Sequence, residues 1–228
     1  MYNIIEGIRV SNTSNHSYVH KFGANPTLVA GSQTIWTAGG LYPWDAFNTA
    51  TQISVYSDNS SDTMDMTIYG LDANWESQSE TITLAGTTEV QTQKTWKRVF
   101  RAFCHDDNVG EITGVVGSDT VLHIEEVKGQ TLMALYTVPA GYKCYGLQFT
   151  AGVGKGGDAE FRMYTRENDP VTSAFRIRAQ LELYETTFTQ AYALPVPLPP
   201  KTDIDFRAYT GGNNYAATGS FDLLLEKL

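Results

Sequence analysis

Cysteine is nearly missing from this chain of 228 residues: there are two, Cys104 and Cys144, far apart in sequence. A disulfide-stapled scaffold is therefore excluded, since such domains rest on several closely spaced cysteines. The first ten residues, Met1 to Val10, carry neither the basic start nor the continuous apolar stretch of a secretory signal. The expectation is two buried, reduced thiols in a protein made in a cytoplasm. No run approaches the roughly 20 apolar residues that a membrane-crossing helix needs, so a soluble protein with no membrane partner is expected. Sustained 3.6-residue periodicity is missing too, which leaves few or no helices. Positive charge is scarce: 16 basic residues stand against 25 acidic ones, for a formal net charge of −9. Such a surface repels a phosphate backbone and argues against a general nucleic-acid binder.

Metal- and cofactor-binding patterns are equally thin. Of the four histidines, His16 and His20 are four residues apart, but their surroundings are not helical and no cysteine or carboxylate stands nearby. Asp58 to Asp62 has calcium-type ligands without the central glycine and distal glutamate of an EF-hand loop, and reads as a solvated turn. The glycine-dense stretch Gly152 to Gly157 is followed by strand-like sequence and has no Lys-Ser/Thr pair, so it is no phosphate cradle. No metal and no cofactor are expected. Cys104-His105-Asp106-Asp107 sets reactive types side by side, but neighbouring strand residues point apart, and it reads as a strand end entering a polar loop. Glu76/Glu80, Glu125-Glu126 and Glu182/Glu185 could serve a glycosidase only if two were held across a cleft, and nothing in sequence pairs them. The chain is expected not to be an enzyme.

What is abundant is strand pattern. Hydrophobic residues make up 42 % of the chain and aromatics 12 %, with 13 tyrosines, enough for a sizeable core. Thr131 to Val138 alternates at period two, stops at Pro139-Ala-Gly141, and resumes through Lys143, Tyr145, Leu147 and Phe149. This is expected to be a central β-hairpin. Further alternating segments run at Gln52–Tyr56, Thr63–Tyr69, Ser79–Leu84, Thr95–Phe103, Glu111–Val116, Val121–Val127, Ala174–Tyr184, Thr202–Ala208 and Ser220–Leu225. The last two are expected as a hairpin about Gly211–Asn214, with Ile204, Phe206 and Ala208 facing the same core as Phe221, Leu223 and Leu225. The proline cluster Leu194–Pro200 reads as an edge segment or a crossing between sheets.

The fold class expected is all-β: an antiparallel β-sandwich or jelly roll, as one large sandwich or two consecutive ones. Residues 1–24, with a short strand over Ile4–Val10 and a polar stretch at Ser11–Asn15, form an arm or edge strand; 25–128 and 129–228 are two β-rich regions. Trp36, Leu41, Tyr42 and Trp44 crowd together, either capping a core or, with Phe22, forming a contact patch for another chain or a sugar.

Three sets of phrases then carry a resemblance. They are Val19–Pro26 with Gln33–Gly40, Gly70–Glu76 with Ser79–Leu84, and Pro199–Ala208. Together the chain resembles virion structural proteins of tailed bacteriophages, capsid cement or decoration proteins above all, from about Val19 to Leu225. The resemblance implies a β-sandwich or jelly roll that assembles as a homo-oligomer, a trimer, on the particle. Its partners would be itself and the major capsid protein or another virion protein. It also implies synthesis in the host cytoplasm and residence in the virion, with a tail- or fibre-associated receptor or glycan binder as the alternative. Under it, residues 1–24 would be an arm on a neighbouring subunit, and Trp36, Tyr42 and Trp44 the anchor.

Overall fold

Alternating segments become strands wherever one face finds a core, and a computed structural model describes residues 15–168, 174–212 and 214–228. The short strand expected over Ile4–Val10 lies outside the described residues. Among them are sixteen strands and one 3-10 turn, Trp44–Phe47, with no α-helix.

Nine strands form an outer unit: β1 (His16–Leu28), β2 (Gly31–Thr34), β10 (Leu135–Thr137), β11 (Tyr142–Val153), β12 (Asp158–Glu167), β13 (Arg176–Tyr184), β14 (Thr187–Leu198), β15 (Thr202–Thr210) and β16 (Tyr215–Lys227). Their antiparallel pairs nest like one long ribbon doubled on itself: β1 with β16, β2 and β10 with β15, β11 with β14, β12 with β13. Folding that ribbon over adds the β11–β16 and β12–β15 ladders. Two sheets result, ordered β1-β16-β11-β14 and β10-β15-β12-β13, with β2 also on β15. Along β15 the period of two sends Ile204, Phe206 and Ala208 into the core, and they meet Phe161, Phe221, Leu223 and Leu225 there.

β2 and β10 are two pieces of one line against β15, interrupted by about a hundred residues. Ile35 N–H donates to the Phe206 carbonyl (2.9 Å), Phe206 N–H to that of Ala134 (3.1 Å), and Ala134 N–H to that of Ile35 (2.9 Å). Trp36 and Met133 bridge just beyond, so the chain leaves and returns through a two-stranded neck. β1 crosses this neck at Gly23, where a Cβ would lie 2.2 Å from the Ile35 carbonyl oxygen and 2.4 Å from the Ala134 nitrogen.

Between the neck strands lies an inserted unit: β3 (Ser54–Ser57), β4 (Asp65–Leu71), β5 (Ser77–Thr83), β6 (Val90–Gln91), β7 (Arg98–Cys104), β8 (Ile112–Val116) and β9 (Asp119–Ile124). Its sheets, β6-β3-β8-β9 and β5-β4-β7, surround a second core built on Phe47, Ile53, Met66, Ile68, Trp96 and Ile112. Phe100 of β7 packs against both cores.

Three expectations need correction. The boundaries at 24/25 and 128/129 do not match the cores, because β1 and β2 belong with the C-terminal strands. The central hairpin is no hairpin. Gly141 does turn the chain, at φ +75°, but β10 runs in one sheet and β11 in the other. The same holds for β15 and β16, whose apolar residues share a core while the strands do not pair. Periodicity marks each strand locally, but a doubled ribbon sends sequence neighbours to opposite sheets. Pro195 and Pro197 lie in β14, an edge strand, where proline is tolerated, and the chain then crosses to β15 in the other sheet.

Candidate functional site

The face of β15 opposite the core carries Asp203, Asp205 and Arg207, and the inserted unit closes over the first two. Asp203 is fully buried. Its carboxylate accepts a fork from Arg98 of β7 (Nε to Oδ1 2.8 Å, Nη2 to Oδ2 2.9 Å), Arg166 Nη2 (2.8 Å), Asn168 Nδ2 (2.8 Å) and Thr137 Oγ1 (2.7 Å). Asp205 accepts from Thr34 Oγ1 (2.9 Å), Trp44 Nε1 (2.8 Å) and Arg207 Nε (2.9 Å). Burial alone pushes the Asp203 carboxyl up; the bonds and charge of Arg98, with Arg166 and Asn168, outweigh it and hold the group below its ordinary value.

Aromatic rings cover the guanidinium groups. Arg98 stacks on Trp75 (4.9 Å) and Trp44 (5.4 Å), Arg166 on Phe175 (4.6 Å), and Arg207 on Tyr164 (4.5 Å). The arrangement welds two β-units together and leaves no carboxylate oxygen free for chemistry.

Trp36, Tyr42 and Trp44 belong to this weld. They are only 3, 3 and 4 % exposed, with edge-on contacts of 5.2 Å (Trp36–Tyr42) and 5.0 Å (Tyr42–Trp44). They cap the core of the inserted unit, so an outward anchor made of these three is corrected: a ring already buried has little surface to offer a partner. Leu41 (50 %) and Phe22 (40 %) are exposed, Phe22 on β1 stacked against His20. The structure does not gather the five into one patch. The acidic pair Asp203 and Asp205 was missed as a site, although its alternation with Ile204 and Phe206 already put both acids on one face.

On the other side of the junction, a groove separates β1 from the sheet β5-β4-β7. It is lined by Tyr18, Val19, His20 and Lys21, with Tyr69, Gln78, Phe100 and Arg101 among the residues opposite. Lys21 is 7 % exposed. It donates to the Phe100 carbonyl, and its Nζ lies 5.7 Å from that ring's centroid. Burial, then the nearby Arg101 charge, lowers the amine to about 7. Beside it on the outer sheet face, Asp222 accepts from Tyr18 Oη (2.5 Å), His20 Nδ1 (2.6 Å, with the ring nitrogen as donor) and Gln148 Nε2 (2.5 Å).

Several other chemistry-bearing residues are used structurally. Asp62, expected in a solvated turn, is instead buried and accepts from Ser57 Oγ (2.5 Å), Val109 N (2.8 Å) and Gly110 N (3.0 Å). Glu80 accepts from the backbone N–H groups of Gln93 and Lys94, and Glu185 from that of Gly156. Burial pushes the Cys104 thiol up to about 11 and the Cys144 thiol up to about 12, so neither is a ready nucleophile at neutral pH. Gly152 to Gly157 ends β11 and leads into β12, with no helix behind it.

Charge is split between the units. Positions 35–134 hold fourteen acidic and five basic residues, whereas the rest of the chain holds eleven of each. All of the net −9 therefore resides in the inserted unit.

No family model matches the chain, and no curated protein does. Among solved structures, it is similar to that of the infectious bursal disease virus Gt strain, at 10 % identity over 100 % of this chain and 83 % of the other, TM-score 0.23. The Gx strain structure gives 10 % identity over 98 % and 77 %, TM-score 0.27. A subviral particle of VP2 from infectious bursal disease virus gives 8 % over 94 % and 73 %, TM-score 0.25. Scores this low do not establish a common fold.

Proposed function

We propose that this chain is a structural component of a phage particle, a capsid cement or decoration protein that stabilises the shell by bridging capsid subunits. The observation that carries the reading is the nested strand order of the outer unit. An eight-line ribbon doubled into sheets β1-β16-β11-β14 and β10-β15-β12-β13 supports reading the unit as a jelly roll, an architecture used by viral capsid and lectin domains. The inserted unit is a second β-sandwich mounted on it. The resemblance to tailed-phage virion proteins points the same way.

The charge division suits that role. An outer unit of zero net charge can lie against another protein without desolvating a surplus of one sign, while the acidic insert faces away from it and from the genome. On this reading the chain works by buried contact area and needs no reactive centre, cofactor or nucleic acid. It acts as a homo-oligomer, a trimer, with the major capsid protein as partner. Phe22 and Leu41 are the exposed side chains proposed for such contacts.

The alternative is a tail- or fibre-associated glycan binder. One feature favours it: Tyr18 and Phe22 stand exposed beside the carboxylate of Asp222 and the amide of Gln148, rings and polar groups of the kind a sugar uses. Electron microscopy of the virion tests the main reading by locating the protein, and particles lacking it should lose DNA at a lower temperature. Density on the tail, together with binding on a glycan array, would replace that reading with the alternative.

A further inference from the structure

Strand β13 closes one sheet of the outer unit and leaves its far edge open. It ends the order β10-β15-β12-β13, and among the described residues it pairs with β12 alone. Nine residues long, it contains neither proline nor lysine, two common guards of a sheet edge. β14, which ends the other sheet, is guarded: Pro195 and Pro197 lie in it, and its register breaks between Ala191 and Val196. The register of β13 slips only near its start, opposite Met163 and Tyr164, so residues 179–184 run as regular strand. An open strand of this kind presents its outer N–H and C=O groups as a template for another strand.

Apolar surface collects on the same two strands. Ile177 and Tyr184 of β13 and Phe188 and Leu194 of β14 are exposed, Leu194 at 83 %. Large apolar side chains grouped in this way mark a contact with protein. Charge says which protein. Arg176 and Arg178 stand at the start of β13, Glu182 near its end and Glu185 just beyond it. A strand that is basic at one end and acidic at the other attracts an antiparallel copy of itself and repels a parallel one. The strand also belongs to the outer unit, where acidic and basic residues balance.

We infer that two copies of this chain join through β13, antiparallel, about a two-fold axis at Leu181. Ala179, Leu181 and Leu183 face the core, opposite Met163, Phe161 and Ala159 of β12, while Gln180 and Glu182 face out. Directly opposed residues share a face, so the axis must pass through a residue and not between two. An axis at Glu182 would set that carboxylate against itself, and one at Gln180 would run the regular stretch into the irregular start. The axis at Leu181 sets the Gln180 amide against the Glu182 carboxylate twice, Ala179 against Leu183, and Leu181 against its own copy. It also brings the start of each strand, with Arg176 and Arg178, alongside Glu185 of the second copy. The two sheets become one and the open edge disappears. An isologous contact closes on itself, so it joins copies in pairs and can coexist with a three-fold contact elsewhere on the surface.

The contact is a property of the purified protein and stands apart from any location in a particle. Sedimentation equilibrium of the full chain over a range of concentrations should show an even-numbered species that dissociates on dilution. Hydrogen–deuterium exchange of the peptide 176–184 should slow as concentration rises. Gln180→Glu faces each Glu182 with a second carboxylate, at two symmetry-related places, and should weaken the association about tenfold. Arg162, beside Gln180 on β12, is engaged by Glu160 (2.5 and 2.7 Å). Adding Glu182→Lys turns each repulsion into an ion pair and should restore the association. An unchanged urea midpoint shows that Gln180→Glu is folded. A monomer at every concentration, or an odd-numbered oligomer alone, would overturn the proposal. So would an association that ignores Gln180→Glu, a double variant that fails to recover, or protection of 176–184 that appears only when other virion proteins are added.

Discussion

Arg98 and Asp203 lie 105 residues apart in sequence and meet as a two-bond fork across the junction of the units, with side chains 4 % and 0 % exposed. Removing one member of a buried pair strands the other charge, at a typical cost of about 3–5 kcal/mol. Arg98→Met should lower stability on that scale, read as a fall in the urea midpoint. The double variant Arg98→Met/Asp203→Leu should lose less than Arg98→Met alone. A single-variant loss below about 1 kcal/mol would mean that the fork does not hold the units together.

The same carboxylate governs behaviour in acid. Its folded value is depressed, so its contribution is complete above the unfolded value and disappears as pH falls through the folded one. Wild-type stability should therefore drop steeply below about pH 4. Asp203→Asn should be less stable at pH 7 and show a flatter acid limb, measured by urea unfolding at a series of pH values. Parallel limbs would assign acid sensitivity to other carboxylates.

Gly23 should be irreplaceable for a steric reason. The atoms nearest an added Cβ are backbone atoms of the neck, which no rotamer change can move aside. Gly23→Ala should cost about 1–3 kcal/mol or more, as overpacking does, and lower Tm. Gly117→Ala makes a useful control: φ is +60° there, but no neighbour lies within 4 Å, so only backbone strain of about 1 kcal/mol is at stake.

Substitution separates rings that hold the chain together from rings that could meet a partner. Trp44→Ala deletes a buried ring and the donor to Asp205, and should cost about 3–5 kcal/mol of stability. Phe22→Ser and Leu41→Ser should leave unfolding free energy within about 1 kcal/mol of wild type and, on the proposed particle role, lower occupancy on particles. Unchanged occupancy would remove those two from the contact.

Strand content was legible because each core-facing strand repeats at period two, and Thr202–Ala208 shows how much that pattern holds. It marks the inward residues Ile204 and Phe206 and leaves two acids on the other face. It does not say that Arg98 would cover Asp203 or Trp44 bond Asp205, because those contacts depend on how the insert sits on the outer unit. The pairing of β10 with β15 in place of β11 was hidden for a related reason. Pro139-Ala-Gly141 encodes a turn, and a turn joins strands in one sheet or in two with the same residues. Crowded tryptophans are ambiguous from sequence as well, since Trp36 and Trp44 suit a cap and an anchor alike. Burial decided between them.

The neck at Ile35 and Ala134 has a kinetic corollary. A ladder line split by about a hundred residues can zip only after its halves are neighbours, and closing so long a loop from an open coil is entropically slow. Condensation of the insert shortens that loop to a few ångströms, because the same collapse brings Trp36 beside Met133. Pulse-labelled exchange during refolding should accordingly find β4 and β7 protected ahead of β15. Maturation would begin in the middle of the polypeptide and spread to its ends.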